Sequence, residues 1–235
     1  MKLSVVIPAY NEEKRIAETA AILTEFLPTV SQDFEIIIVS DGSKDKTFEI
    51  IKNLAKNNEH VKAFGYDRNK GKGGAVRMGM LKSSGDIVLF TDTDLAYGTE
   101  VIKRAVEKFN STDADVVVGS RNLEQNSYQG YSFMRKLMSK TYLKLISLAS
   151  GFKLSDSQCG FKCFTGSAAH DIFNECQIDS FAFDLEALLK AQKKGYKIAE
   201  LPVKIINHDN TGTKVRIIKD TFKMLKDIRE IKKHL

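Results

Sequence analysis

The most informative part of the sequence is the stretch Gly85-Asp86-Ile87-Val88-Leu89-Phe90-Thr91-Asp92-Thr93-Asp94, an apolar run that ends in two aspartates. The run has the composition of a buried strand, and side chains two positions apart on a strand point to the same side. Two neighbouring carboxylates repel unless a cation compensates them, and Mg²⁺ or Mn²⁺ is typically held by one or two carboxylates plus substrate phosphates. The stretch therefore predicts a metal site at Asp92 and Asp94, unless Asp92 caps a turn and Asp94 is solvated.

Strand and helix patterns alternate along the chain around this stretch. Helices are predicted up to about Phe26, from Lys44 to Lys56 and up to Lys82, with Asn11 as the N-cap of the first. Repeated strand and helix units with continuous apolar strands indicate an α/β fold with a doubly wound, mostly parallel sheet and flanking helices. The other strands are predicted at Leu3–Ile7, Glu35–Val39, Val61–Tyr66 and Asp115–Gly119.

Three polar loops follow predicted strands. In sheets of this kind, ligands bind in the crevice at the carboxyl ends of the strands. The convergence of the loops at that edge predicts a nucleotide site, although each loop by itself fits ordinary helix capping. The loops are Pro8-Ala9-Tyr10-Asn11-Glu12, Asp41-Gly42-Ser43 and Asp92-Thr93-Asp94.

A glycine-rich loop, Asn69-Lys70-Gly71-Lys72-Gly73-Gly74-Ala75, opens the third predicted helix. Backbone amides at a helix N-terminus, together with lysine side chains, suit an anion such as a pyrophosphate. The glycine spacing is neither the dinucleotide fingerprint nor the Walker P-loop. The loop is therefore a candidate phosphate site, with a plain flexible loop as the alternative.

Composition limits the class of protein. The 235 residues are 43% hydrophobic and 28% charged, which fits one large domain, or one domain with a small appendage. Three cysteines, an odd number, favour a reducing cytoplasm and small core residues rather than disulfides or zinc. No apolar stretch approaches the length of a membrane span, and the N-terminus opens into a strand without a signal peptide.

The net charge of +6 is concentrated in two segments. From Lys214 to the end there are eight Lys or Arg against three Asp or Glu, and Tyr131–Ser150 contains basic residues and no acid. Basic amphipathic helices can lie on an anionic membrane, or can pack on the sheet with a solvated basic face. A nucleic-acid partner is disfavoured because interleaved aromatic residues are missing.

The ordered set of motifs resembles the inverting glycosyltransferases of family two. It comprises Val5–Glu13, Asp41–Thr47, Asn69–Arg77 and Asp92–Asp94. Three later motifs, Gly119–Arg121, Asp156–Lys162 and Phe183–Glu186, are similar to the dolichyl-phosphate β-glucosyltransferase branch, which is close to the dolichyl-phosphate mannosyltransferases. The resemblance covers about residues 3 to 214.

The resemblance implies a GT-A fold over residues 1–213, with a nucleotide-sugar half at 1–120, an acceptor half at 121–213 and a basic C-terminal helix at 214–235. The candidate metal ligands are Asp92 and Asp94. The candidate residues for the nucleotide sugar are Pro8, Ala9, Tyr10, Glu12, Asp41, Lys72, Gly73, Asp92, Thr93 and Lys214. The candidate catalytic residues are Asp94, Arg121, Asp184 and Glu186. The candidate acceptor residues are Arg121, Arg135 and Gln158.

Several of these assignments have alternatives. Arg121 could be a surface ion-pair partner, and Asp184 and Glu186 could be acids favoured at a helix start. A sugar hydroxyl acceptor would need one of them as a base, whereas a phosphate with a second pKa of about 6 is already ionised. Mannosyltransferase relatives have a metal-ligating Gln after the acidic pair, where this chain has Leu95-Ala96, which leaves the third ligand open and favours the glucosyl branch.

These inferences predict a metal-dependent transferase that moves a hexose, with glucose favoured, from a UDP-sugar to a polyprenyl or dolichyl phosphate. GDP-mannose is the less favoured donor, and a glycan hydroxyl is the alternative acceptor. The predicted location is the cytoplasmic face of a membrane. A sugar nucleotidyltransferase is disfavoured because its first loop would be rich in glycine, and a non-catalytic nucleotide-sugar binding protein is a third alternative.

Overall fold

The structure, a computed structural model, describes residues 1–124, 155–156, 159–206 and 217–235, with side chains in the last range described from residue 226. Its strands are β1 (Lys2–Ala9), β2 (Asp33–Asp41), β3 (Val61–Tyr66), β4 (Ile87–Phe90), β5 (Val116–Ser120), β6 (Lys162–Thr165) and β7 (Ile198–Pro202). Its helices are α1 (Ile16–Phe26), α2 (Thr47–Asn57), α3 (Lys72–Lys82), α4 (Glu100–Ser111), α5 (Gly166–Glu175), α6 (Phe183–Lys193) and α7 (Ile217–His234), with a 3₁₀ turn at Leu27–Thr29.

Within the described ranges, the strands form one sheet in the order β3-β2-β1-β4-β6-β5-β7. β1 pairs in parallel with β2 and β4, and β5 pairs in parallel with β7. β6 lies antiparallel between β4 and β5. The predicted mostly parallel α/β sheet is therefore confirmed, whereas β6 and β7 were not predicted. β6 has only four residues and begins with a lysine, so its sequence lacks a continuous apolar run.

The core has one layer on each face of the sheet, because successive side chains of a strand point to opposite faces. On β1, Leu3, Val5 and Ile7 pack with α1, α2 and α4, whereas Val6 packs on the other face. The second layer contains apolar residues of α3, α5, α6 and α7. Both faces of the central strands are covered, which leaves the loops at the strand ends to bind ligands.

The first helix begins later than predicted. α1 starts at Ile16, and Asn11 is not its N-cap. Asn11 has a positive φ of 54°, and its side-chain Oδ1 accepts a hydrogen bond from the backbone N–H of Lys44. This hydrogen bond joins the loop after β1 to the loop after β2. Asn tolerates the left-handed conformation better than most residues, which explains why it occupies this position.

The three cysteines, Cys159, Cys163 and Cys176, are buried free thiols, as predicted. Burial raises the pKa of the Cys163 thiol well above its usual value. A thiol with a raised pKa is a poor nucleophile at neutral pH. These residues therefore act as small core side chains.

The C-terminal helix packs on the domain. Ile228 and Ile231 of α7 are buried in the core layer that contains α5 and α6, and the Ser180 hydroxyl donates to the Asp227 carboxylate at 2.5 Å. Among the described helices, none is both long and apolar enough to cross a membrane. Part of the apolar face on which the membrane prediction rested is thus covered by the protein itself.

Glu35 provides a test of the stability of the sheet. Its buried carboxylate accepts hydrogen bonds from the Ser4 hydroxyl at 2.6 Å and the Ser84 N–H at 2.8 Å, and pairs with Lys62 at 2.5 Å. Burial raises the pKa of Glu35, but Lys62 and the hydrogen bonds outweigh it and lower the pKa to about 2. We expect Glu35→Gln to lower the free energy of unfolding by about 1–3 kcal/mol at pH 7.

The pH dependence follows from the direction of that shift. The folded pKa lies below the ordinary value of 4.5, so the contribution is complete above about pH 5 and is lost as the pH falls toward 2. Urea unfolding of the wild type and the Glu35→Gln variant at pH 7, 5 and 3 measures the difference in their free energies of unfolding. The exposed Glu59→Gln is the matched control. A difference that stays constant from pH 7 to pH 3 would contradict the expectation.

Candidate active site

The loops after β1 and β2 are joined at the carboxyl edge of the sheet. The backbone N–H of Glu12 donates to the Thr47 hydroxyl at 2.8 Å, and the Lys44 N–H donates to Asn11 Oδ1 at 2.8 Å. Pro8 and Ala9 end β1, and Tyr10, the next residue, is 36% exposed. The first two polar loops predicted from the sequence therefore meet.

The two aspartates lie in a turn just after β4. The strand ends at Phe90, before the two aspartates, and Leu95, with a φ of 45°, donates its N–H to the Asp92 carbonyl at 3.1 Å. The Asp94 carboxylate accepts the N–H of Ala96 at 3.0 Å. α1 reaches the same turn, because the Thr19 hydroxyl donates to the carbonyl of Thr93 at 2.6 Å. Both carboxylates are thus at the predicted edge of the sheet.

Lys72, the first residue of α3, pairs with Asp92. Its Nζ lies 2.6 Å from Asp92 Oδ1. Burial lowers the pKa of Lys72, but the carboxylates of Asp92, Asp184 and Asp94 outweigh burial and raise it. Lys72 is therefore a charged ammonium next to three acidic side chains.

The residues around Asp92 fit a divalent metal ion. The carboxylate already faces a cation, the Lys72 ammonium, and Gly160 lets it approach the backbone closely, since a Cβ there would lie 2.4 Å from Asp92 Oδ2. Within the described part of the chain, no group of three or more His, Cys, Asp or Glu could hold a metal. Mg²⁺ and Mn²⁺ commonly use one or two carboxylates and complete their coordination with phosphates and water. Asp92 and Asp94 match that pattern.

Asp41 holds the glycine-rich loop. Its buried carboxylate accepts hydrogen bonds from the Tyr66 hydroxyl at 2.6 Å and the Asn69 amide at 2.9 Å. It also accepts the backbone N–H groups of Lys70 at 2.9 Å and Gly71 at 3.0 Å. Both carboxylate oxygens therefore have protein partners, so Asp41 shapes the loop, and its predicted contact with the nucleotide sugar stays a prediction.

The glycines of this loop permit close packing. The Gly73 N–H donates to the Asp179 carbonyl at 2.9 Å, and a Cβ on Gly73 would lie 2.5 Å from the Ile178 carbonyl oxygen. A Cβ on Gly71 would lie 2.4 Å from the Asp179 carbonyl oxygen. The Gly71 and Gly73 amides are thus engaged by the protein, and the prediction of a phosphate site at this loop stays a prediction. The Lys72 side chain is what the loop contributes to the site.

Arg121 is fixed at the end of β5 by Asp156. Its Nε and Nη2 donate to the two oxygens of the Asp156 carboxylate at 2.6 and 2.9 Å. Asp156 is fully buried, and although burial raises its pKa, the bonds to Arg121 lower it. Arg121 thus has an ion-pair partner, which is buried rather than at the surface, and its predicted catalytic and acceptor roles stay predictions. A two-point contact of this kind holds a guanidinium in one orientation.

Asp184 belongs to a buried ion pair that the sequence did not reveal. Lys162 is fully buried, and its Nζ donates to Asp184 Oδ1 at 2.7 Å and to the Cys159 carbonyl at 2.6 Å. Burial raises the pKa of Asp184, against the lowering effect of Lys162 and Lys72. Asp184 is therefore held in an ion pair, and its predicted catalytic role stays a prediction. The missed Lys162 could have been suspected as a charged residue between Phe161 and Phe164.

Glu186 also has a structural role. Its carboxylate, which is buried, accepts the backbone N–H groups of Gln177 at 3.0 Å and Ile178 at 2.8 Å. These bonds hold the segment that packs against the glycine loop, and the predicted catalytic role of Glu186 stays a prediction. The predicted residues Arg135, Gln158 and Lys214 lie outside the described residues.

Comparison with known sequences identifies relatives. A model of glycosyl transferase family 2 matches residues 4–173. The chain is 35% identical to dolichyl-phosphate beta-glucosyltransferase ALG5A of Trichomonas vaginalis over 97% of this chain and 72% of the relative. It is 37% identical to ALG5C of the same organism, over 84% of this chain and 62% of the relative. The dolichyl-phosphate beta-glucosyltransferase of Dictyostelium discoideum is 33% identical, over 98% and 73%. The chain thus spans less than two thirds of one relative and under three quarters of the others.

Comparison with solved structures supports the fold. Glucosyl-3-phosphoglycerate synthase from Mycobacterium tuberculosis, in complex with Mn²⁺, uridine diphosphate and phosphoglyceric acid, aligns with a TM-score of 0.68 at 16% identity. The alignment covers 98% of this chain and 76% of that one. Staphylococcus aureus TarS aligns with a TM-score of 0.60 at 21% identity, over 97% and 65%. The predicted GT-A fold is confirmed. With the family model and the sequence relatives, the conclusion is that this chain belongs to glycosyl transferase family 2.

Proposed function

We propose that this chain transfers glucose from UDP-glucose to a dolichyl or other polyprenyl phosphate, with inversion at the anomeric carbon and with Mg²⁺ or Mn²⁺. The sugar and acceptor are supported by sequence relatives that are named dolichyl-phosphate beta-glucosyltransferases. The donor and metal are supported by a structural neighbour that was crystallised with uridine diphosphate and Mn²⁺.

The acceptor class is supported by one observation on this chain. The two acids considered as bases, Asp184 and Glu186, have their carboxylates engaged by Lys162 and by backbone N–H groups. A sugar hydroxyl would need a base to remove its proton, whereas a phosphate with a second pKa of about 6 is already ionised near neutrality. An acceptor phosphate is therefore the nucleophile that this site suits.

The proposed roles of the residues follow from their charges. Asp92 and Asp94 hold the metal ion, which when bound neutralises charge on the departing diphosphate. Lys72 and Arg121 stabilise phosphate oxygens, and Arg121 is kept in place by Asp156. An acceptor phosphate oxygen forms the new bond to the anomeric carbon while the bond from that carbon to UDP breaks, which inverts the configuration.

The proposed location is the cytoplasmic face of a membrane, with the protein bound peripherally. A polyprenyl phosphate is held in a bilayer by its hydrocarbon chain, so the enzyme must act at that surface. The basic residues from Lys214 onward support this, since each cation near an anionic bilayer contributes about 1 kcal/mol.

A single assay tests the proposed donor and acceptor together. UDP-glucose, UDP-galactose, UDP-N-acetylglucosamine and GDP-mannose, each radiolabelled, are incubated with Mn²⁺ and dolichyl phosphate, and label in the organic phase is counted. We expect labelled lipid with UDP-glucose and little with the other donors. Dolichol without its phosphate is the matched acceptor control and should accept no sugar, because it offers only a hydroxyl. Equal transfer to both acceptors, or label confined to the aqueous phase, would contradict the proposal.

A further inference from the structure

We propose that Lys72 is a built-in competitor of the metal ion, which neutralises Asp92 until the nucleotide sugar binds. The divalent ion then binds tightly only together with the diphosphate, because the Lys72 ammonium then pairs with the diphosphate instead of Asp92. The inference rests on the proposed function and adds a control on the order of binding. It concerns the Lys72 side chain, and measurements of metal binding test it without catalytic turnover.

The first support is the place that the ammonium occupies. Lys72 Nζ lies 2.6 Å from Asp92 Oδ1, on a carboxylate that a metal ion would need. A Cβ on Gly160 would come within 2.4 Å of Asp92 Oδ2 and 3.6 Å of Lys72 Nζ. Both groups thus lie against Gly160 and next to each other, and an ion bound to Asp92 would have the ammonium as a close neighbour.

The second support is the assignment of the nearby charges. Two lysines and three aspartates meet here, but Lys162 is fully buried, and its ammonium is held by Asp184 and the Cys159 carbonyl. Lys162 therefore cannot approach Asp92 without leaving Asp184 unpaired, which is costly for a buried charge. Lys72 is the lysine placed to compensate Asp92.

The third support is that only the Lys72 side chain has to move. The backbone on one side is fixed by the Gly71 N–H bonded to Asp41, and on the other side by the Gly73 N–H bonded to the Asp179 carbonyl. The ammonium ends a flexible four-carbon chain, and the Lys72 side chain is 19% exposed. It can turn from a carboxylate to a diphosphate oxygen while α3 keeps its position.

The test measures Mn²⁺ binding by titration calorimetry, or by the electron paramagnetic resonance signal of free Mn²⁺, with and without UDP. Lys72→Met removes the charge, Lys72→Arg keeps it, and Lys70→Met is the control, because Lys70 is an exposed lysine of the same loop. Circular dichroism and thermal unfolding establish that each variant is folded.

Without UDP, we expect Lys72→Met to bind Mn²⁺ at least about tenfold more tightly than the wild type, since a unit positive charge a few ångströms away is removed. Lys72→Arg and Lys70→Met should stay close to the wild type. UDP should tighten Mn²⁺ binding at least about tenfold in the wild type, and by a smaller factor in Lys72→Met.

Two results separate the possible failures. Equal or weaker Mn²⁺ binding by folded Lys72→Met, with UDP still promoting Mn²⁺ binding in the wild type, would overturn the competitor role and leave the proposed function standing. A wild type that binds no Mn²⁺ even with UDP would overturn the metal-dependent function and this inference with it.

Discussion

Asp94→Asn is expected to lower glucose transfer at least about a thousandfold while the protein stays folded. The amide oxygen can still accept the Ala96 N–H that the carboxylate accepts at 3.0 Å, so the turn after β4 keeps its hydrogen bond. What the variant loses is a charged ligand of the proposed metal ion, which would neutralise the leaving diphosphate. A thousandfold loss corresponds to about 4 kcal/mol of transition-state stabilisation, which is the range that a bound metal ion supplies.

The measurement is the initial rate with UDP-glucose and dolichyl phosphate over a range of Mn²⁺ concentrations, together with the thermal unfolding temperature. Asp67→Asn is the matched control, because Asp67 is an exposed aspartate in the loop after β3. The control should retain wild-type rates. A folded Asp94→Asn variant that transfers glucose at more than a tenth of the wild-type rate, or without added metal, would contradict the assignment of Asp94.

The parallel part of the fold was predictable because its strands have a strong local signal. β1, β2 and β4 are buried on both faces, so each is a nearly continuous run of Val, Ile and Leu that few other structures would tolerate. The position of the acids followed from the same pattern, since residues after a parallel strand lie at its carboxyl end. The turn that begins after Phe90 was considered only as an alternative, because the sequence continues from Phe90 to Asp94 without glycine or proline.

The partners of the buried charges were not predictable from local patterns. Lys162 meets Asp184 from 22 residues away, and Asp41 meets Tyr66 from 25 residues away, across elements that only the folded sheet brings together. The local sequence pattern of acids at the start of a helix is the same whether the acids face a substrate or a backbone N–H. For Glu186, only the folded structure shows that its carboxylate accepts the Gln177 and Ile178 amides of the segment before α6.

The glycine-rich loop shows the same ambiguity. Glycines before a helix permit an anion to approach the backbone, and they equally permit another chain segment to do so. Here the segment at 178–180 takes that place, against Gly71 and Gly73. The sequence shows that the loop carries Lys72, but it does not show the ion-pair partner of Lys72. That partner, Asp92, lies 20 positions further along the sequence.

Arg121→Lys is expected to lower transfer roughly a hundredfold, although the positive charge is kept. Lysine cannot reproduce the two parallel hydrogen bonds by which Arg121 engages Asp156, so its ammonium would not be held toward a phosphate. Asp156→Asn should lower transfer about tenfold, because it weakens the same positioning contact. Rates with UDP-glucose and dolichyl phosphate measure both effects. Urea unfolding measures the accompanying loss of stability, about 1–3 kcal/mol for a weakened buried contact.

The double variant decides whether Asp156 acts through Arg121. If Asp156 serves only to orient the guanidinium, Arg121→Lys with Asp156→Asn should be no slower than Arg121→Lys alone, because the orientation is already lost. Lys197→Met, which breaks the exposed ion pair with Asp113, is the control for loss of an ion pair as such and should leave transfer unchanged. Losses that multiply in the double variant would show that Asp156 contributes independently of Arg121, and a wild-type rate in Arg121→Lys would remove Arg121 from the phosphate-binding set.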